Sequence, residues 1–198
     1  LLYIIFGAIF MLNVLSESGA LSLIRSAFSG ISSDRRIQAI IVAWMFGSFI
    51  EGASGFGTAA AVAGPLLVVL GFPAAAALIC ALIIQSTAVS FGVVGTPIIL
   101  GIGSGLDHPV VHSLVGSTSI NSPEFSAYLF AISNYVGIIH ALVGTFIPMV
   151  MILVLTRYFG AKRSFRDALP AFPFALFSGL VFTVPYALIA NYIGPEFP

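Results

Sequence analysis

Glu51-Gly52-Ala53-Ser54-Gly55-Phe56-Gly57-Thr58 is the stretch on which the fold turns. Three glycines and a carboxylate interrupt an apolar run and break any helix there. On either side, Ile37 to Ile50 and Ala59 to Leu70 are apolar. Each is shorter than the roughly 20 residues a helix needs to cross the hydrocarbon core at about 1.5 Å per residue. Two short helices around such a tip predict a re-entrant hairpin over residues 37–70, which dips in and returns to the same side. Non-helical backbone survives at membrane depth only when buried in protein or lining a wet cavity.

Moving outward, residues 74–102 repeat the theme in another form. Ala74 to Ile84 is apolar, Gln85 to Pro97 is polar and glycine-rich, and Ile98 to Ile102 is apolar again. An interrupted span of this kind reads as a broken helix with half-helix ends meeting inside the membrane. Two further segments are long enough to cross: residues 125–156, kinked at Pro148, and residues 171–192, which contain Pro173 and Pro185. Residues 1–15 read as part of a span. Residues 16–36 read as a weakly amphipathic interfacial helix and a basic loop, with a plain loop as the ordinary alternative.

Loop charge orients these elements. Arg25, Arg35 and Arg36 precede the hairpin, and Arg157, Lys162, Arg163 and Arg166 fill the loop 157–170. The loop 103–124 carries Asp107 and Glu124 but no Lys or Arg. Positive charge marks the cytoplasmic side. A hairpin that returns to its own side, followed by one outward and one inward crossing, places both basic loops inside and the loop around Asp107 outside.

Composition agrees with a membrane protein. Of 198 residues, 59% are apolar, and 7 Lys and Arg balance 7 Asp and Glu; the mean hydropathy is +1.13. About a quarter of a soluble domain is charged, against 7% here, so a soluble globular fold is excluded. Zero net charge with scattered bases excludes nucleic acid as a partner. The single Cys80 offers neither a disulfide framework nor a thiolate metal site. The chain begins at Leu1 inside an apolar stretch, with no charged n-region or cleavage site, and reads as an excerpt of a longer membrane protein rather than as a signal peptide.

The chemistry concentrates in the two breaks. Unwound backbone exposes N–H and C=O groups, the half-helix after a break points its positive dipole end at the gap, and small hydroxyl side chains add donors without filling space. This predicts a site for a small carboxylate built from Ser54, Gly55, Gly57 and Thr58 of the tip and Gln85, Ser86, Thr87, Ser90, Gly95 and Thr96 of the second break. Close helix packing on small residues is the ordinary alternative. Glu51 is the one acid inside the apolar hairpin. It must be protonated, partnered or wet, which makes it a candidate proton carrier or, alternatively, a cap for neighbouring backbone N–H groups. His108 and His112 share i, i+4 spacing, but Pro109 and the loop context argue against a metal. His140 lies inside a span, as an inter-helix hydrogen bonder or part of a proton path. No cofactor or metal site is expected.

The hairpin string, followed by Ala63-Gly64-Pro65-Leu66-Leu67 and Leu70-Gly71-Phe72-Pro73, resembles the signature of the L-lactate permease family. Gln85-Ser86-Thr87, Val89-Ser90-Phe91-Gly92 and Gly95-Thr96-Pro97 resemble its second block. Ser33 to Ile40 and Phe46 to Ile50 also fit, and the pattern departs at Ala59 and Ala88, where proline is common. The resemblance implies a multi-pass protein of the bacterial inner membrane that takes up lactate, and often glycolate, with protons. It also implies a longer full-length chain built from inverted repeats, of which this stretch is about one. Partners expected on this reading are the small anion, the proton, membrane lipid, the remainder of the same chain and, as one form of assembly, a second copy in a homodimer. Two rival readings are a carrier for another small organic or inorganic anion, and an intramembrane serine protease. The latter would rest on Gly52-Ala53-Ser54-Gly55, which resembles the rhomboid G-x-S-G, with Ser54 as nucleophile and His140 as base.

Overall fold

The computed structural model describes residues 2–55 and 57–198. Leu1, at the start of the expected partial span, and Phe56, inside the tip, lie outside the described residues, as do a few side chains of the first 29 residues, Arg25 among them. The described residues are all-α, and four helical stretches are long and apolar enough to cross a membrane: Arg35–Ser54, Ala74–Leu106, Pro123–Phe159 and Phe165–Tyr192.

Helix α1 (Leu2–Glu17) turns through Gly19, in the left-handed conformation at φ 74°, into α2 (Ala20–Ser29). Ile24 and Phe28 of α2 pack on the core, Phe28 edge-on to Phe46 at 5.6 Å. Asp34 then caps α3 (Arg35–Ser54), its carboxylate accepting from the Arg36 N–H at 2.9 Å. The first arm of the hairpin is therefore a continuous 20-residue helix, longer than the 37–50 run that hydrophobicity alone delimits. The cap and the charged first turn extend it. Its middle, Ile40–Phe46, is wound in wider i→i+5 turns.

The second arm, α4 (Thr58–Val69), is 12 residues long. It ends where Gly71, at φ 90°, reverses the chain. There Arg35 Nη1 donates to the Leu70 carbonyl at 2.9 Å, and the Arg35 guanidinium lies over the Phe72 ring. The two feet of the hairpin are thus tied together at one end of the molecule. Arg36 pairs with Asp34 and donates to the Asp167 carbonyl, which brings the loop 160–167 to the same end. A cavity of about 520 Å³ opens between these loops. Both basic loops share one end, as the charge pattern requires.

Helix α5 (Ala74–Ala88) starts after Pro73 and runs into the break. Its continuation, α6, covers residues 97–106. A short helix, α7 (Pro109–Val115), and a loop follow. His112 holds this loop, bridging Asp107 at 2.7 Å and Ser117 Oγ at 2.6 Å, while His108 accepts from the Val110 N–H.

Helix α8 (Pro123–Gly144) is capped by Ser122. It ends because Pro148 has no N–H for the Gly144 carbonyl and its ring crowds that residue. The chain jogs at Thr145 and Phe146 and resumes as α9 (Ile147–Val154). Helix α10 (Phe172–Tyr192) returns alongside.

The α8–α10 crossing is close because glycines stand where any side chain would collide. A Cβ on Gly137 would lie 2.6 Å from that of Ala190, and one on Gly179 would strike the Thr145 backbone. With no hydrophobic drive between helices in lipid, such small-residue contacts supply the packing. Thr145 and Thr183 exchange a hydroxyl hydrogen bond at 2.7 Å inside the crossing. The core between hairpin and bundle centres on Trp44, fully buried with Leu66, Leu67, Ile84, Met151 and Ile152. Trp44 Nε1 donates to the Ser178 carbonyl of α10 at 3.2 Å.

Candidate functional site: a hairpin tip seated on a broken helix

Two irregular stretches meet in this molecule. The tip between α3 and α4 turns on Gly55 (φ 59°) and Gly57 (φ 84°), both in the left-handed region that glycine occupies without a steric penalty. The Thr58 hydroxyl donates to the Gly55 carbonyl at 2.7 Å and closes the turn. The second stretch lies between α5 and α6. Here Val89–Phe91 tightens. Val93 (φ 49°, ψ 56°), Val94 (φ 56°, ψ 47°) and Gly95 (φ 72°, ψ 11°) then form one left-handed turn. The break thus begins at Val89, four residues beyond Gln85, because Gln85 to Ala88 remain helical.

Contact between the two stretches is backbone against backbone. A Cβ on Gly92 would come 3.0 Å from Gly55 Cα and 3.1 Å from the Glu51 carbonyl. One on Gly55 would come 3.1 Å from the Val93 nitrogen. Gln85 faces Gly57: a Cβ there would lie 3.6 Å from Gln85 Nε2. That Nε2 is buried and has no hydrogen-bond partner among the described residues, so a donor is aimed at the seam with nothing to receive it. Ser54 and Ser86, the neighbours of Gly55 and Gln85, are exposed, with hydroxyls turned back to the Ile50 and Ile83 carbonyls.

Glu51 is fully buried. Its Oε1 accepts from the Gly57 N–H and its Oε2 from the Ala59 N–H, each at 3.1 Å. These are N–H groups at the start of α4, which would otherwise lack partners, and the carboxylate also sits at the positive end of the helix dipole. Glu51 is the buckle of the tip. Ala59, at a position where the resemblance leads one to expect proline, supplies an N–H that proline lacks.

Other sequence-predicted residues face away from this seam. Thr87 is buried against the bundle; a Cβ on Gly144 would lie 2.7 Å from its methyl. Its carbonyl accepts from the Tyr186 hydroxyl at 2.9 Å and lies 3.2 Å from His140 Nδ1. Gly95 packs on Pro195 and Glu196. The Thr96 hydroxyl donates to the Val93 carbonyl within the left-handed turn. Ser90 is partly exposed. Ser54 and His140 share no hydrogen bond, and the partners of each lie within its own element or in the bundle.

Sequence reasoning missed Gly92, Val93 and Tyr186. Gly92 stood in the polar stretch as one glycine among several. Nothing local marks two valines for a left-handed turn, which their β-branched side chains disfavour. Tyr186 was legible only as an aromatic next to Pro185.

Among the described residues, then, the fold is an all-α, multi-pass membrane architecture with a helical hairpin seated on a discontinuous helix. The chain matches the model of the L-lactate permease family over residues 1–198. It is 36% identical to the L-lactate permease of Bacillus subtilis over 99% of its own length and 30% of the relative's. It is 33% identical to the L-lactate permease of Streptococcus iniae over 100% of its length and 36% of that protein. The glycolate permease GlcA of Escherichia coli is 32% identical over 99% of this chain and 30% of its own. No solved structure matches. The chain belongs to the L-lactate permease family, membrane transport proteins of the bacterial plasma membrane, and spans about a third of the length of the curated relatives it matches.

Proposed function

We propose that this chain forms part of a secondary active transporter for L-lactate, glycolate and related 2-hydroxy monocarboxylates, coupled to protons. The observation that carries the reading is the seam where the tip meets the break, with the Gln85 amide donor buried and without a partner among the described residues beside Gly57. Two of the relatives are named for lactate and one for glycolate. Those two acids share a carboxylate and an adjacent hydroxyl, the groups a site of amide, backbone N–H and hydroxyl donors suits.

On this reading the hairpin is re-entrant. It meets the 33-residue segment Ala74–Leu106 at its interruption rather than at its far end, after 15 residues of α5, or about 22 Å. That depth lies inside a hydrocarbon core of about 30 Å. The substrate carboxylate takes the Gln85 donor and its hydroxyl meets Ser54, Ser86 or Ser90, while Gly55 and Gly57, whose N–H groups are held by Glu51, leave room for the anion. Thr58, Thr87, Gly95 and Thr96 hold the two turns in shape rather than touching the anion. The stretch acts as about one repeat of an inverted-repeat carrier, and the remainder of the full-length chain, or a second copy in a homodimer, closes the exposed side of Ser54 and Ser86. The protein moves its substrate without chemical change.

Counterflow in proteoliposomes of the full-length permease tests this with a panel of acids. Lactate and glycolate should exchange, and succinate and sulfate should not. Exchange of succinate or sulfate without lactate would overturn the substrate class.

A further inference from the structure

Proton coupling needs a group that can take up and release a proton at membrane depth. Glu51 is a poor fit, because both its oxygens are committed to the tip backbone and it has 0% exposure. His140 is differently placed. It lies midway along the 37-residue segment Pro123–Phe159 and is half-buried. Its Nδ1 lies 3.2 Å from the Thr87 carbonyl and 3.1 Å from the Tyr186 hydroxyl.

Counting donors favours one tautomer. The Thr87 carbonyl only accepts, and Tyr186 spends its one hydroxyl proton on that carbonyl at 2.9 Å. With the hydrogen on Nδ1, all three contacts among His140, Tyr186 and the Thr87 carbonyl have a donor and an acceptor. The Nε2 lone pair is left with no protein partner among the described residues. Tyr186, stacked 6.2 Å from the imidazole, is the one titratable side chain in contact with the ring there. The other face of the cluster is the Thr87 carbonyl, at the last turn of α5, whose dipole end is negative and favours a cation.

We propose that His140 is the residue of the permease that carries the coupled proton, and that its imidazolium acts on the break from behind, through the Thr87 carbonyl. This rests on the transport reading given above. Nε2 takes a proton from water on the side of higher acidity, forming an imidazolium whose Nδ1–H still holds the Thr87 carbonyl. Lactate binds to the loaded form, and the pair crosses with no net charge. On the other side the anion leaves and Nε2 returns the proton to water.

The test uses the full-length permease in proteoliposomes, with uptake and exchange of labelled L-lactate measured from pH 5.5 to 8. In the parent protein the KM for lactate should rise with pH across this range. His140→Asn keeps an N–H donor for Thr87 but cannot titrate. Its KM should be about tenfold higher at acid pH, the scale of an ordinary coupling between two sites, and flat with pH. His140→Lys fixes the charge: it should exchange lactate yet fail to accumulate it under a pH gradient. Glu51→Gln, which disturbs the tip but leaves His140 and its partners in place, should keep the pH dependence of KM whatever its overall rate.

A parent-like pH dependence in His140→Asn overturns the proposal. So does loss of exchange in both His140 variants, which would make the residue structural. Loss of the pH-dependent KM in Glu51→Gln alone would move the proton to Glu51. A parent protein that exchanges no lactate at any pH would sink the transport reading itself, and this proposal with it.

Discussion

The hairpin tip and the break in α5–α6 use the same device, backbone at positive φ, with opposite economy. The tip places glycine at both left-handed positions, Gly55 and Gly57, and adds a buried carboxylate to hold the next helix. The break places two valines there, Val93 and Val94, before Gly95. Left-handed backbone costs a residue with a Cβ about 1–2 kcal/mol, so the tip is relaxed and the break is strained. Strain of this kind persists only when the surroundings hold it, and it collects where a structure must change. On the transport reading proposed above, the tip is the fixed wall of the seam and the break its movable wall, with Tyr186 and His140 behind it on the Thr87 carbonyl.

The largest loss should come at Gly55. In Gly55→Val, a β-branched side chain takes a left-handed φ and its Cβ lands on Val93. The cost should be about 3 kcal/mol or more, seen as loss of folded full-length protein in detergent by size exclusion. Glu51→Ala comes next. It strands the Gly57 and Ala59 N–H groups inside protein, at about 1–3 kcal/mol, and Glu51→Gln should recover part of this because its carbonyl still accepts. Thermal unfolding in detergent reads both.

The break should respond in the other direction. Val93→Gly removes about 1–2 kcal/mol of strain against about 0.5–1 kcal/mol of glycine entropy, for a small net stabilisation. Its thermal midpoint should not fall, while gradient-driven lactate uptake should slow as the break loses its preferred geometry.

The smallest effect lies away from both walls, at Asp34. Hydrogen bonds from the Arg36 side chain hold its carboxyl below the usual value, with burial pulling the other way. A carboxyl depressed in the folded state contributes stability above its unfolded pKa, and that contribution fades as pH falls through the native value. Asp34→Asn should therefore lose a few tenths of a kcal/mol at neutral pH and little once the pH has fallen through the native value, the pair being partly solvated. Unfolding midpoints measured against pH check the sign.

Much of this architecture was legible in the residues. Glycine spacing located both breaks, and the Arg35, Arg36 and 157–166 charges predicted the shared end that the Arg36 contact to Asp167 realises. The Glu51 cap was one of two readings that the string allowed. What could not be read was direction. Thr87 and Gly95 belong to a polar motif, yet the rotation of α5 and the left-handed turn aim them at the bundle and at Pro195. Helix lengths also ran past their hydrophobic runs, because the Asp34 cap and the charged turn beside it extend α3 without adding apolar residues.

The central claim is that the seam between tip and break is where substrate sits. It is tested most directly by placing Ser54→Cys and Ser86→Cys singly in full-length permease carrying Cys80→Ala, then labelling with a membrane-impermeant maleimide. Both cysteines should react, and L-lactate at about ten times its Kd should slow each reaction roughly tenfold. Cysteines that stay unlabelled, or that react at the same rate with and without lactate, would contradict it.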